Sequence, residues 1–184
     1  IRRARYAQHK GADAIQIALP FWMEVPDGEV VRFFEEVAHA VPGMPICIYE
    51  TLRAKKAISL ELHRQIHAAI PMLIGVKSNE NTVGAEEKGC VELSKLYHVF
   101  TGEDKVCSLG RFGVVGSCSS FVYQNPRILL HMYDLLRQKK WAELKPWETK
   151  IHHICAEGLK PTFEAGCIDS AIDRLLGRSA GFLK

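Results

Sequence analysis

Apolar residues along the chain fall into two alternating patterns, short continuous runs and longer stretches with helical spacing. The first run is Ala14 to Leu19, AIQIAL. After it, Val30, Phe33, Phe34, Val37 and Val41 recur at i, i+3, i+4, i+7 and i+11, which places them on one helical face. Pro42-Gly43 stops that helix. The second run is Ile46 to Tyr49. Ser59 then stands where it can cap a helix whose inner face is Leu62, Ile66, Ala69 and Ile70. The third run, Met72 to Lys77, leads into a helix expected through Val83, Val91 and Leu96. His98 to Thr101 and Phe112 to Val115 are the fourth and fifth runs. Asn125-Pro126 opens a strong helix carrying Ile128, Leu129, Met132, Leu135 and Leu136, with proline at a tolerated early position. From Lys139 onward the pattern predicts two or three more helices, and the first residues read as the middle of another.

Five strand–helix units imply parallel strands, because each crossover helix returns the chain to the same end of the sheet. Two architectures meet that condition, an open doubly wound sheet and a (β/α)8 barrel. No GxGxxG or GxxxxGK(S/T) follows any run, so phosphate-loop chemistry lends the nucleotide-binding version no support. The polar and aromatic residues of interest stand at or just after strand C-termini: Trp22, Tyr49, Lys77 and Glu103-Asp104. In a barrel these ends converge on one mouth.

Composition narrows the function classes. The chain is 47% hydrophobic and 24% charged with a net charge of +3, as expected of a soluble globular protein. Its densest basic run, Arg2, Arg3 and Arg5, is short, so neither a nucleic-acid nor a membrane partner is expected. No apolar run approaches the roughly 18 residues a membrane-spanning helix needs. The six cysteines lack CxxC or Cys/His ligand spacing, and they read as thiols in a reducing, cytoplasmic setting. His152 and His153 are adjacent and point to different helix faces, and Glu103-Asp104 has no further ligands nearby. No metal is expected. Cys118 reads as a pocket-wall residue, and Trp141 and Trp147 as packing.

Two residues carry candidate chemistry. Lys77 ends an apolar strand, where desolvation disfavours an ammonium and a neutral amine can attack a ketone. A strand-end lysine that snorkels to solvent is the competing reading. Tyr49 ends the preceding strand, and a phenol beside an amine can relay protons. A tyrosine with an ordinary hydrogen bond competes with that.

Pro20-Phe21-Trp22, Ile48-Tyr49-Glu50 and Gly75-Val76-Lys77 together resemble the strand-end motifs of the dihydrodipicolinate synthase / N-acetylneuraminate lyase family, class I pyruvate-dependent aldolases. Thr101-Gly102-Glu103-Asp104, Gly113-Val114-Val115-Gly116-Ser117 and Asn125-Pro126 extend the resemblance over most of the chain. It implies a partial TIM barrel made of the later five strand–helix units, strands four to eight, over residues 1–138. A C-terminal helical region over 139–184 follows. It also implies that Lys77 forms an imine with pyruvate or a related 2-oxo acid. Tyr49 then transfers protons, Val115 contacts pyruvate, and Ser117 and Trp22 line the rest of the substrate site. No cofactor is needed beyond the covalent imine, and a homotetramer is implied.

The departures from the family pattern also matter. Glu50 stands where the family has Asn, and Ala54 where it has the arginine that, in the synthase, holds the second substrate's carboxylate. Arg53 and Lys55 fall one residue to either side. Trp22 replaces a relay tyrosine, and indole has no acid–base group near neutral pH. An aldolase or hydratase-aldolase is therefore expected ahead of 4-hydroxy-tetrahydrodipicolinate synthase. A truncated, non-catalytic family member or interaction module is the alternative from another class. The sequence is expected to be cut at its start, with the family's first three strands lying outside it. On that reading Ile17 and Ile48 face into the barrel, the opposite wall of their core is missing, and the 184 residues alone are neither well folded nor competent.

Overall fold

The computed structural model describes residues 1–184. Its strands are β1 (Ile15–Ile17), β2 (Ile46–Tyr49), β3 (Leu73–Lys77), β4 (His98–Thr101) and β5 (Val114–Ser117), arranged in that order in one sheet. The helices are α1 (Arg2–His9), α2 (Asp27–Ala40), α3 (Leu60–Ala69), α4 (Glu87–Leu93), α5 (Val106–Gly110), α6 (Pro126–Arg137), α7 (Trp141–His153), α8 (Lys160–Glu164) and α9 (Asp169–Ser179). Five parallel strands alternating with helices and followed by a helical region match the architecture expected. No helix is long and apolar enough to cross a membrane.

The chain divides into two compact units. The first comprises residues 1–101 and 112–114, the second 102–111 and 115–184. In the first, β1 to β4 pair in parallel, with Ile17 opposite Ile48, Ile48 opposite Val76 and Val76 opposite Val99. Ile46, Ile48, Val76 and Val99 are fully buried, whereas Cys47 and Tyr49 between them are half-buried and Gln16 is exposed. Side chains alternate across a strand, so the fully covered row is the one under the helices. This corrects the expected orientation of Ile17 and Ile48. They face the helix layer, and the opposite face carries Gln16, Cys47, Tyr49 and Lys77. Val30 and Phe34 from α2 and Ile66 from α3 complete the core at 0% exposure. Each such side chain contributes roughly 1.5–3 kcal/mol of burial.

Local chemistry sets the element ends. Ser59 Oγ accepts the amide of Leu62 at 3.2 Å and caps α3 as expected. β1 is shorter than the run that predicted it. It pairs only with β2, and Pro20, which has no N–H, follows closely. The helix expected through Val83, Val91 and Leu96 is two pieces, a 3₁₀ turn at Val83–Ala85 and α4, separated by extended Glu86. The two press together at Gly89, where a Cβ would lie 1.7 Å from the carbonyl oxygen of Val83. β5 begins two residues late because Gly113 occupies a left-handed conformation, φ +111°, against Ser94.

The second unit has its own core, built from Phe121, Met132, Leu135, Leu136, Leu144, Ile151 and Leu176. Asn125 Oδ1 accepts the amide of Arg127 at 3.2 Å, with Pro126 in the first turn, so α6 opens as its sequence predicted. The tail holds three helices, α7 to α9, with a π-helical turn at Ile154–Gly158 between α7 and α8. α7 packs on α5 and α6.

Candidate active site

Tyr49 and Lys77 are the terminal residues of β2 and β3 and are direct register partners. Parallel pairing and the two-residue period put both on the face opposite the helix-covered row. Lys77 is 8% exposed, and its Nζ lies 5.1 Å from the centroid of the Tyr49 ring. The amine donates to Asn79 Oδ1, and Asn79 Nδ2 in turn donates to the Glu50 carbonyl. The Glu50 amide donates back to the Lys77 carbonyl at 3.1 Å. An amine, a phenol and a short polar relay thus share one strand end.

Behind them lies a buried polar pair. Glu50 accepts the amide of Ile58 through Oε1 at 3.3 Å. His63 Nε2 from α3 stands 3.6 Å from the same oxygen, close enough for an ion pair but past hydrogen-bond reach. Glu50 Oε2 and both His63 ring nitrogens have no hydrogen-bond partner. The Tyr97 hydroxyl donates to the His63 carbonyl at 2.7 Å. Burial, and secondarily the Glu50 charge, push the Tyr97 phenol well above its ordinary value.

The segments after β1 and β2 are tied together by lysines. Lys55, in the left-handed region at φ 58°, donates its Nζ to the Trp22 carbonyl at 3.3 Å. Lys56 pairs with Asp27 at 2.5 Å and Glu24 at 3.5 Å, and the hydrogen bond to Asp27 holds its ammonium above the usual lysine range. Trp22 itself presents its indole to solvent at 81% exposure, flanked by exposed Phe21 and Met23. Ala54, at the position of the family's arginine, is buried.

Val115 and Ser117 belong to the second unit, where both are exposed and share one face of β5. Glu103 in that unit is buried and accepts the Phe121 amide at 3.0 Å, so it works as a turn brace. The structure brings Lys77 and Tyr49 together. Trp22 is placed on the segment after β1 with its ring in solvent, and Val115 and Ser117 on their own strand.

A family model for the dihydrodipicolinate synthetase family matches residues 1–171. The chain belongs to this family. It is 26% identical over 149 residues to an uncharacterized DapA-like lyase of Pyrococcus abyssi, covering 78% of this chain and 49% of that protein. It is 24% identical over 130 residues to a 4-hydroxy-tetrahydrodipicolinate synthase of Thermus thermophilus, covering 68% and 44%. The chain therefore spans about half the length of the curated relatives it matches. Among solved structures it resembles YagE, a prophage protein of the dihydrodipicolinic acid synthase family from E. coli K12 in complex with pyruvate. The TM-score is 0.80 at 18% identity, covering 97% of this chain and 59% of that one. A Ruminococcus gnavus sialic acid aldolase, a catalytic lysine mutant, gives 0.73 at 20% identity, covering 84% and 51%. At these identities the structural likeness concerns the fold.

Sequence reasoning missed Asn79 and His63. Asn79 is one polar residue among several in Lys77-Ser78-Asn79-Glu80-Asn81, and nothing in that run distinguishes it. His63 lies on the helical face of Leu62 and Ile66, where a polar residue amid apolar neighbours was the available signal.

Proposed function

We propose that this chain carries the imine-forming site of a family lyase that makes or cleaves a carbon–carbon bond next to the carbonyl of pyruvate or a related 2-oxo acid. The observation that supports it most is the pairing of Lys77 with Tyr49, amine over phenol ring, at the ends of adjacent strands. In this reading the neutral Lys77 amine attacks the substrate's ketone carbon and forms a carbinolamine. Loss of water then gives the protonated imine. The imine nitrogen takes up the electron pair of the adjacent carbon–carbon bond as that bond breaks, or returns it as the bond forms. Tyr49 supplies and accepts the protons of the dehydration and bond-making steps. Val115 and Ser117 contact substrate, and Trp22 borders the second substrate.

The covalent imine does the work of a cofactor, so neither metal nor organic group is assigned. A homo-oligomer, by resemblance a tetramer, is the assembly proposed. Trp22 and Ala54 stand where the synthase would need a relay phenol and a guanidinium, so condensation with aspartate semialdehyde is not the assigned reaction. Borohydride reduction in the presence of pyruvate tests the reading. The expected result is a three-carbon adduct on the peptide holding Lys77, lost in Lys77→Ala. Adduct that survives Lys77→Ala overturns it.

A further inference from the structure

We propose that Asn79 is a positioning residue for Lys77, and that it also accepts a hydrogen bond from the protonated imine. This rests on the imine reading above and adds a residue to it.

Three hydrogen bonds form a closed ring. The Glu50 amide donates to the Lys77 carbonyl, Asn79 Nδ2 donates to the Glu50 carbonyl, and the Lys77 amine donates to Asn79 Oδ1. The orientation of the amide follows from chemistry. A carbonyl only accepts, so the NH2 group of Asn79 must face Glu50, and its oxygen must face Lys77. Asn79 is itself fixed, because its carbonyl accepts the Thr82 hydroxyl at 2.7 Å and the Thr82 amide at 3.3 Å. Glu50 is fixed by the Ile58 amide on its buried carboxylate.

The ring removes rotamer freedom from a long, flexible side chain. It holds the amine over the Tyr49 ring before substrate arrives. The ordering cost is met in folding, and the reacting nitrogen is presented in one place. Once the imine forms, its nitrogen keeps one N–H, and Asn79 Oδ1 is the acceptor already beside it. The titratable group the structure sets against the amine is the Tyr49 phenol on β2, while the Glu50 carboxylate after β2 and His63 of α3 face each other.

The test is the rate of borohydride-trapped pyruvate adduct on Lys77, measured from pH 6 to 10. Asn79→Ala is expected to slow trapping by about 10- to 100-fold, the range that misplacing a reacting group by about 1 Å produces. Asn79→Asp keeps an acceptor at that atom and makes it anionic. It is expected to recover most of the rate with a pH–rate profile displaced to higher pH, because a neighbouring anion favours the ammonium. Thermal melts of both variants show whether the fold is kept, and the displaced profile of Asn79→Asp decides alone if Asn79→Ala unfolds. Trapping by Asn79→Ala at the wild-type rate, or an Asn79→Asp profile superimposable on wild type, overturns this proposal and leaves the imine reading standing. Wild-type protein that traps no pyruvate on Lys77 overturns both.

Discussion

Glu148 of α7 and Glu50 after β2 both lose almost all contact with solvent, one in each compact unit. Glu148 Oε2 accepts the Cys107 amide at 2.7 Å, the Ser108 amide at 2.9 Å and the Ser108 hydroxyl at 3.3 Å. Its Oε1 pairs with Lys145 at 2.6 Å. Glu50 has one long hydrogen bond, from Ile58, an imidazole at 3.6 Å and a second oxygen with no partner. A buried carboxylate with both oxygens engaged knits the start of α5 to α7. A buried carboxylate left half-satisfied, as Glu50 is, contributes less to stability than one with both oxygens engaged. Buried polar atoms without partners are uncommon, and where sequence-level rules are broken, functional sites are the usual location. The brace of the helical unit runs through the Glu148 carboxylate, whereas Glu50 meets Asn79 and Lys77 through its backbone.

The largest effect expected from this contrast is on rate. Tyr49→Phe should slow turnover by about 100- to 10,000-fold, as for a lost proton-transfer group. Pyruvate binding and the melting temperature should change little, because Tyr49 is half-buried and its ring remains. Steady-state kinetics and a thermal melt check this, and an unchanged rate constant removes the phenol from the reaction. Next comes Glu148→Ala, which should leave the Cys107 and Ser108 amides without their acceptor. Urea unfolding should show a loss of about 2–4 kcal/mol, from two stranded donors. A loss below about 1 kcal/mol would mean that the brace is dispensable and the two carboxylates are alike.

The third effect turns the comparison round. Glu50→Gln keeps an oxygen for the Ile58 amide and removes a buried charge that is poorly satisfied. Its stability should stay within about 1 kcal/mol of wild type, because the substitution trades one partly satisfied polar group for a neutral one. Urea unfolding measures this too. A loss as large as that of Glu148→Ala would show that Glu50 and His63 form a strong ion pair and that the two carboxylates are alike as braces.

How far these features could be read from sequence depends on periodicity. The apolar face of α2 was legible because Val30, Phe34 and Val37 follow the 3.6-residue repeat, and all three are buried. Ser59 and Asn125-Pro126 were legible because caps are local chemistry. Tyr49 and Lys77 were legible as partners because each ends a strand, and one crossover helix makes those strands neighbours. The face of Ile48 was not legible. In a parallel sheet both sides run apolar, so the two-residue alternation loses its contrast. Asn79 lies in a loop with no period, and Glu50 meets His63 across a turn and a helix. Contacts of that kind are set by tertiary packing, which pattern alone does not encode.

The smallest effect belongs to the exposed end of the Glu148 brace. Lys145 is 58% exposed at its side chain, and its hydrogen bond to Glu148 raises its ammonium above the ordinary lysine value. A raised folded-state value stabilises the fold while the group is protonated in both states. The contribution is therefore complete below the unfolded lysine value of about 10.4, and is lost as pH rises through the higher folded value. Solvent screens most of the pair, so its worth should be about 0.5 kcal/mol. Lys145→Met keeps the aliphatic stem and removes the charge. Its stability deficit should stay flat from pH 6 to 9, shrink above about pH 10.5 as wild-type Lys145 deprotonates, and fall in 1 M salt. Paired urea titrations of wild type and variant across that range measure it. A deficit of about 2 kcal/mol at pH 7, or one that widens with rising pH, would place the strength of the Glu148 brace in its ion pair rather than in the two backbone amides of α5.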